Sequence, residues 1–181
     1  MSRKWQEMLR IDLQNLPSRT TETLTCPPLL VEGERRHVAV LFLDLKDFTT
    51  ISESMDHEIV HTLVGGVMRV LADVVDDYGG YVDKIEGDRI MALFGAKLSG
   101  ENDSVRAVSC AVRMLGTIDS ASQFLSDQDI TISARVGIAC GPATVAPDAL
   151  GHLTAIGDTI NLASRLENRA EEGMVSPMAE R

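Results

Sequence analysis

The sequence predicts an α+β domain with a ferredoxin-like βαββαβ core, an antiparallel sheet with flanking helices. Three observations predict it. The run Val38–Leu43 is apolar throughout, which marks a central strand buried on both faces. Two short segments rich in strand formers, Tyr81–Ile85 and Arg89–Phe94, flank Glu86-Gly87-Asp88 and read as a hairpin. Stretches of helical periodicity separate the first strand from the hairpin, and the hairpin from a later strand.

Taken in order, Met1–Leu16 has Trp5, Met8, Leu9, Leu13 and Leu16 along one side and reads as a short amphipathic helix for docking or linking. Pro17–Glu34, with Pro17, Pro27, Pro28 and Gly33 among Ser and Thr, reads as a linker. Residues 1–34 are therefore expected to precede a domain at 35–181. After the strand ending at Asp44, Asp56 suits a helix N-cap. Ile59, Leu63, Val67, Val70, Val74 and Tyr78 are its expected inner face, and Gly79-Gly80 its stop. Beyond the hairpin, Asn102 or Asp103 is expected to cap a second helix, with Val105, Val108, Val112 and Leu115 inward. Ile130–Cys140 reads as a strand broken by Gly141-Pro142, with Ala143–Ala146 returning antiparallel. Thr154–Ile156 is a short strand, and Asp158 a cap for a helix running to about Ala170.

Composition narrows the function classes. The 181 residues suit one domain plus an extension, and 44% are hydrophobic. Lys and Arg number 17 against 27 Asp and Glu, a net charge of −10, and aromatic residues are only 4%. A nucleic-acid partner is not expected, because phosphate-tracking surfaces are basic and single-strand platforms need rings. Cys26, Cys110 and Cys140 show neither zinc spacing nor an even count, so reduced thiols and a cytoplasmic setting are expected. No apolar run approaches the about 20 residues of a membrane span.

Asp44 closes the apolar strand and Asp88 sits in the hairpin turn. In a ferredoxin-like sheet the first strand and the hairpin turn can be neighbours, which would let two carboxylates converge as hard oxygen ligands for Mg²⁺ or Mn²⁺. Taken singly, each aspartate is ordinary turn or cap chemistry. The stretch Lys46–Thr50 could offer N–H groups to a triphosphate, although alone it is a generic loop. Asn161 and Arg165, four apart, share a helix face. They could steady charge on a phosphoryl group or simply be solvated.

The segments FLDLKDFT (Phe42–Thr49), YVDKIEGDRIMALFGA (Tyr81–Ala96) and LTAIGDTINLASRL (Leu153–Leu166) together resemble the class III nucleotidyl cyclases, of the soluble bacterial type. The resemblance covers roughly Arg35–Ala170 and keeps motif order and separation. It implies an adenylate cyclase that makes cyclic AMP from ATP in intracellular signalling, with two divalent metal ions, Mg or Mn, as cofactors. It implies Asp44 and Asp88 as metal ligands, with Leu45 adding a backbone carbonyl. Lys46, Asp47, Phe48 and Thr49 match the loop around the triphosphate, Lys84 and Thr154 the pair that reads adenine, Asn161 the ribose-positioning amide and Arg165 the transition-state arginine. It further implies a homodimer whose active sites are shared between protomers, since the metal aspartates and the remaining residues serve opposite halves of each site.

Two features depart from the family pattern. Asp47 stands where many relatives have Gly. The sequence stops at Arg181, soon after Glu172–Ser176 resembles the start of the next family strand. The final strand pair and its phosphate-holding lysine are then missing, so an exposed sheet edge and reduced activity are expected. The competing readings are a silent nucleotide-binding or dimerisation module, a guanylate cyclase, which Lys84 opposes, and a palm-type polymerase or cyclic-dinucleotide synthase, which lacks its signature here.

Overall fold

The central strand β1 spans Glu34–Lys46, longer at both ends than its apolar run. It is lengthened by its neighbour β4 (Ser133–Pro147), which pairs with it antiparallel over its whole length, from Glu34↔Val145 to Lys46↔Ser133. The computed structural model describes residues 33–46, 57–125, 130–171 and 173–178. The expected N-terminal helix, most of the linker, the Asp56 cap and the loop residues Asp47, Phe48 and Thr49 lie outside them.

Helix α1 (His57–Asp77) follows, then the hairpin β2 (Tyr81–Glu86) and β3 (Arg89–Phe94), helix α2 (Asp103–Leu125), β4, β5 (Leu153–Ile156), helix α3 (Asp158–Arg169) and β6 (Val175–Met178). The sheet order is β2-β3-β1-β4-β5, with β6 parallel to β4. Strands β1 to β4 thus form the expected ferredoxin-like sheet. Gly87, at φ 64°, makes the tight β2–β3 turn that carries Asp88.

Alternation along β1 divides the core. Ala39, Leu41, Leu43 and Leu45 face one layer with Leu71, Val75, Met114 and Ile118 of α1 and α2. Val38, Val40 and Phe42 face the other, with Ala163 of α3. Each face buries a full set of side chains, which is why the strand reads as continuously apolar.

Several sequence expectations need correction. On α2, Val105, Val108 and Val112 are exposed, and the helix instead buries Ala107, Cys110, Ala111, Met114 and Ile118. The small residues let the helix lie close to the sheet, so bulk was a poor guide to its inner face. On α1, Val70 is likewise exposed, while Met68 and Leu71 are buried. Gly141-Pro142 does not break β4. Pro142 falls between the residues of β4 that pair with β6 (136–139) and those that pair with β5 (144–147). Its missing N–H therefore costs no ladder bond there. The Thr159 hydroxyl donates to the Pro142 carbonyl at 2.8 Å. Gly157, not Asp158, occupies the cap position of α3, with no side-chain capping bond.

Candidate functional site

The site begins where the α3-side face of β1 stops being apolar. After Val38, Val40 and Phe42, the same alternation presents Asp44 and Lys46. The ladders put Arg89 of β3 and Arg135 of β4 directly opposite Asp44. Cross-strand partners share a face, so the sheet carries a row of arginine, aspartate and arginine. Arg89 also lies over the Phe42 ring, 4.5 Å from its centroid.

Helix α3 closes this row from above with Glu167, whose side chain is 1% exposed. Arg89 Nη2 donates to Glu167 Oε2 at 2.8 Å and to Ser164 Oγ at 2.7 Å. Arg135 Nε lies 2.6 Å from Glu167 Oε1, a charge contact rather than an aligned hydrogen bond, and its Nη2 donates to Asp44 Oδ2 at 3.0 Å. Lys46 Nζ reaches the same Asp44 oxygen at 3.3 Å. Burial raises the Glu167 carboxyl above the ordinary carboxylate range, and Arg89 and Arg135 pull it back down. Three cations, Arg89, Arg135 and Lys46, thus meet two carboxylates, Asp44 and Glu167, at the polar end of the sheet.

Asp88 meets this cluster through the backbone. The Leu45 N–H donates to the Asp88 carbonyl at 3.1 Å, so the hairpin turn is bonded to the residue after Asp44. Leu45 itself buries its side chain in the core. The two aspartates predicted as neighbours thus lie on hydrogen-bonded segments. Lys46 is the last residue of β1, held by Ser133, rather than part of a loop.

Lys84 and Thr154 come from β2 and β5, the two ends of the sheet order. These strands nevertheless touch, so the sheet curls. Lys84 is exposed and Thr154 half-buried, its hydroxyl donating to Asp83 Oδ2 at 3.2 Å. Asn161 and Arg165 are exposed on α3, on the side opposite Ala163 and Glu167, and Arg165 Nε donates to the Asn161 carbonyl at 3.2 Å. They point away from the row they would need to serve within one chain.

The helix is fixed to the sheet at Gly137. A Cβ there would lie 2.1 Å from the Glu167 nitrogen and 2.4 Å from the Ala163 carbonyl oxygen. Only glycine permits this approach.

Sequence reasoning missed Arg89, Arg135, Glu167 and Asp83. Alternation on β1 and a correct strand register would have found both arginines. The Thr159, Ala163, Glu167 spacing would have put the glutamate on the inner face of α3.

Among the described residues no three or more His, Cys, Asp or Glu side chains group as a metal site. The donors suit a hard divalent ion completed by ligand phosphates: carboxylate Asp44, adjoining Asp88, and backbone oxygen. Cys110 and Cys140 are free, and burial pushes the Cys110 thiol up to about 12, unsuited to metal or redox work. No helix of the described residues is long and apolar enough to cross a membrane.

Comparison with known proteins agrees with this layout. The crystal structure of the adenylyl cyclase CyaB from P. aeruginosa superposes with a TM-score of 0.75 at 32% identity, over 80% of this chain and 77% of that one. The non-canonical dimeric guanylyl cyclase domain of the RhoGC fusion protein from the aquatic fungus Blastocladiella emersonii gives 0.72 at 26%, over 79% and 80%. Adenylate cyclase 1 of Rhizobium meliloti (strain 1021) is 29% identical over 150 residues, 80% of this chain but 22% of its own length. The chain therefore spans about a fifth of that relative. The family described as the adenylate and guanylate cyclase catalytic domain matches residues 30–180. With that match over most of its length, the chain belongs to the adenylate and guanylate cyclase catalytic domain family.

Proposed function

We propose that this chain converts ATP to 3′,5′-cyclic AMP and pyrophosphate at sites shared between two copies of itself, for intracellular signalling. The observation that carries the reading is the bond from the Leu45 N–H to the Asp88 carbonyl, which fastens the turn bearing one carboxylate to the strand end bearing the other. Asp44, Asp88 and the Leu45 carbonyl would hold two Mg²⁺ or Mn²⁺ ions. Bound there, the ions supply Lewis-acid polarisation of the oxygens that attack and leave phosphorus.

The reaction joins the ribose 3′-oxygen to the α-phosphorus and breaks the bond from that phosphorus to the oxygen that departs with pyrophosphate. The hydroxyl proton passes to solvent. Asn161 orients the ribose and Arg165 offsets charge growing on the phosphoryl oxygens. Removing such a preorganised donor costs about 3 kcal/mol, roughly a hundredfold in rate. Lys46 and the loop through Asp47, Phe48 and Thr49 hold the triphosphate. Lys84 donates to the adenine ring nitrogen, where guanine carries a donor of its own, and Thr154 accepts from the 6-amino group.

Sharing between copies is supported by α3. Asn161 and Arg165 stand exposed, opposite the face that holds Glu167 near Asp44. A two-fold dimer brings one copy's α3 to the other's aspartates and forms two equivalent sites.

The test is incubation with ATP or GTP and Mn²⁺ or Mg²⁺, with cyclic products separated and quantified. Cyclic AMP is the expected main product, lost in Asp44→Asn and Asp88→Asn. Cyclic GMP as main product would refute the adenine assignment, and full turnover by both variants would refute the metal assignment.

A further inference from the structure

A hydroxyl discriminates between bases only once its proton is committed, because it can donate or accept. In this chain that commitment is visible. Thr154 Oγ1 donates to Asp83 Oδ2 at 3.2 Å. A carboxylate only accepts, so it takes the single hydroxyl proton and leaves Thr154 with lone pairs for anything else it meets.

Asp83 reaches this position through a bulge. The β2–β3 register steps from Val82↔Ala92 to Lys84↔Met91, so Asp83 has no partner on β3. Bulges re-aim side chains and recur beside active sites. Strict alternation would put Lys84 and Met91 on opposite faces. The extra residue brings Lys84 to the side of Met91, which packs with Phe42 and Ala163 in the α3-side core. One irregularity therefore sets both Lys84 and the partner of Thr154. Asp83 is half-buried, and its carboxylate is not left alone. Burial pulls its pKa upward, as do Asp148 and Glu86, while the Thr154 hydrogen bond and the Lys84 ammonium pull it down.

We infer that Asp83 is a specificity-positioning residue, which fixes the Thr154 hydroxyl as an acceptor and so favours a purine nucleotide with a 6-amino group over one with a 6-oxo group. This rests on the reading of Lys84 and Thr154 as the base-contacting pair. Replacing the carboxylate by an amide supplies an N–H that can donate to Thr154, freeing the hydroxyl proton to satisfy a 6-oxo group. Base selection then weakens without any change in a residue that touches the base.

The experiment is equilibrium displacement of a fluorescent 3′-deoxy-ATP from the full chain, so that no competitor effect depends on turnover. The competitors are the 3′-deoxy triphosphates of adenosine, inosine and purine riboside. Inosine carries the 6-oxo group, and purine riboside carries nothing there. Asp83→Asn is expected to narrow the adenosine-to-inosine preference about tenfold, with purine riboside affinity unchanged. In a Thr154→Val background the same substitution is expected to change nothing further. A general structural effect would move all three competitors together, and that result would overturn the inference. So would an unchanged preference in Asp83→Asn when Thr154→Val alone alters it. If the unsubstituted chain fails to prefer adenosine, the base-contact reading itself falls and takes the inference with it. If Thr154→Val leaves the preference intact, Lys84 alone reads the ring nitrogen, and the inference falls while that part of the reading stands.

Discussion

Gly137→Ala adds one methyl group and is expected to disturb both stability and catalysis. The new Cβ would sit 2.1 Å from the Glu167 nitrogen, 2.4 Å from the Ala163 carbonyl oxygen and 2.6 Å from the Glu167 Cα. All three are backbone atoms of α3, so no side-chain rotation relieves the clash. To reach ordinary contact at 3.4 Å the helix must withdraw by roughly 1.3 Å. Overpacking of this kind costs about 2–3 kcal/mol. For a chain of this size that lowers Tm by about 5–10 °C. The displacement also loosens Glu167 from Arg89 and Arg135, and moves the helix that carries Asn161 and Arg165. A misplacement near 1 Å at a reacting centre costs about a hundredfold in rate. Gly116→Ala is the control, since a Cβ on that helix meets nothing within 4 Å, and a small gain of about 0.5–1 kcal/mol is expected there. Calorimetry and cyclic-product formation measure the two effects. A Gly137→Ala protein that melts within about 1 °C of the parent with unaltered rates would refute the argument that α3 rests directly on the β4 backbone.

Two other outcomes follow from the same geometry. Burial raises the Asp83 pKa in the folded chain, against the pull of Thr154 and Lys84 and with the push of Asp148 and Glu86, so the fold binds the Asp83 proton more tightly than the unfolded chain does. Its contribution to stability is then greatest below the unfolded value of 3.8 and is lost as pH rises through the higher folded value. Denaturant midpoints for the parent and Asp83→Asn should therefore diverge across that window, with the parent losing ground as pH rises. Asp44→Ala and Asn161→Ala chains, each inactive alone, should recover up to about a quarter of parental activity when mixed, as one intact site per mixed dimer gives. Mixed dimers that form but stay silent would exclude shared sites.

The fold was legible because its central elements carry strong local signals. Val38–Leu43 is apolar at every position, and Glu86-Gly87-Asp88 between two short strands leaves little alternative to a hairpin. The inner face of α2 was not legible, because Ala107, Cys110 and Ala111 are chosen for close approach and a hydrophobicity pattern favours the larger valines at 105, 108 and 112. Asp44 and Asp88 were legible as neighbours from topology alone. Arg89, Arg135 and Glu167 were not, since their meeting depends on a register spanning three strands and on the rotation of α3. Asp83 was hidden more deeply. Only a bulge in β2 and the curl that joins β2 to β5 bring it to Thr154, and neither leaves a mark in a single sequence.

The charge row separates what holds the fold from what does chemistry. Asp44 has two cationic partners, Arg135 and Lys46. If its charge is removed, Arg135 keeps Glu167 at 2.6 Å, and Lys46, a third exposed, turns to water. Asp44→Asn should therefore cost the fold about 1 kcal/mol or less, while removing nearly all cyclic-product formation. Arg135→Ala is the reverse case. It leaves Glu167 buried with Arg89 as its remaining partner. A half-compensated buried carboxylate costs about 3 kcal/mol. Arg135→Lys should restore little, since an ammonium cannot span two carboxylates as a guanidinium fork does. Urea midpoints for the three variants order these effects. If Asp44→Asn is the most destabilised of them, the carboxylate at the end of β1 serves the fold, and its proposed role in gripping a metal-bound nucleotide loses its support.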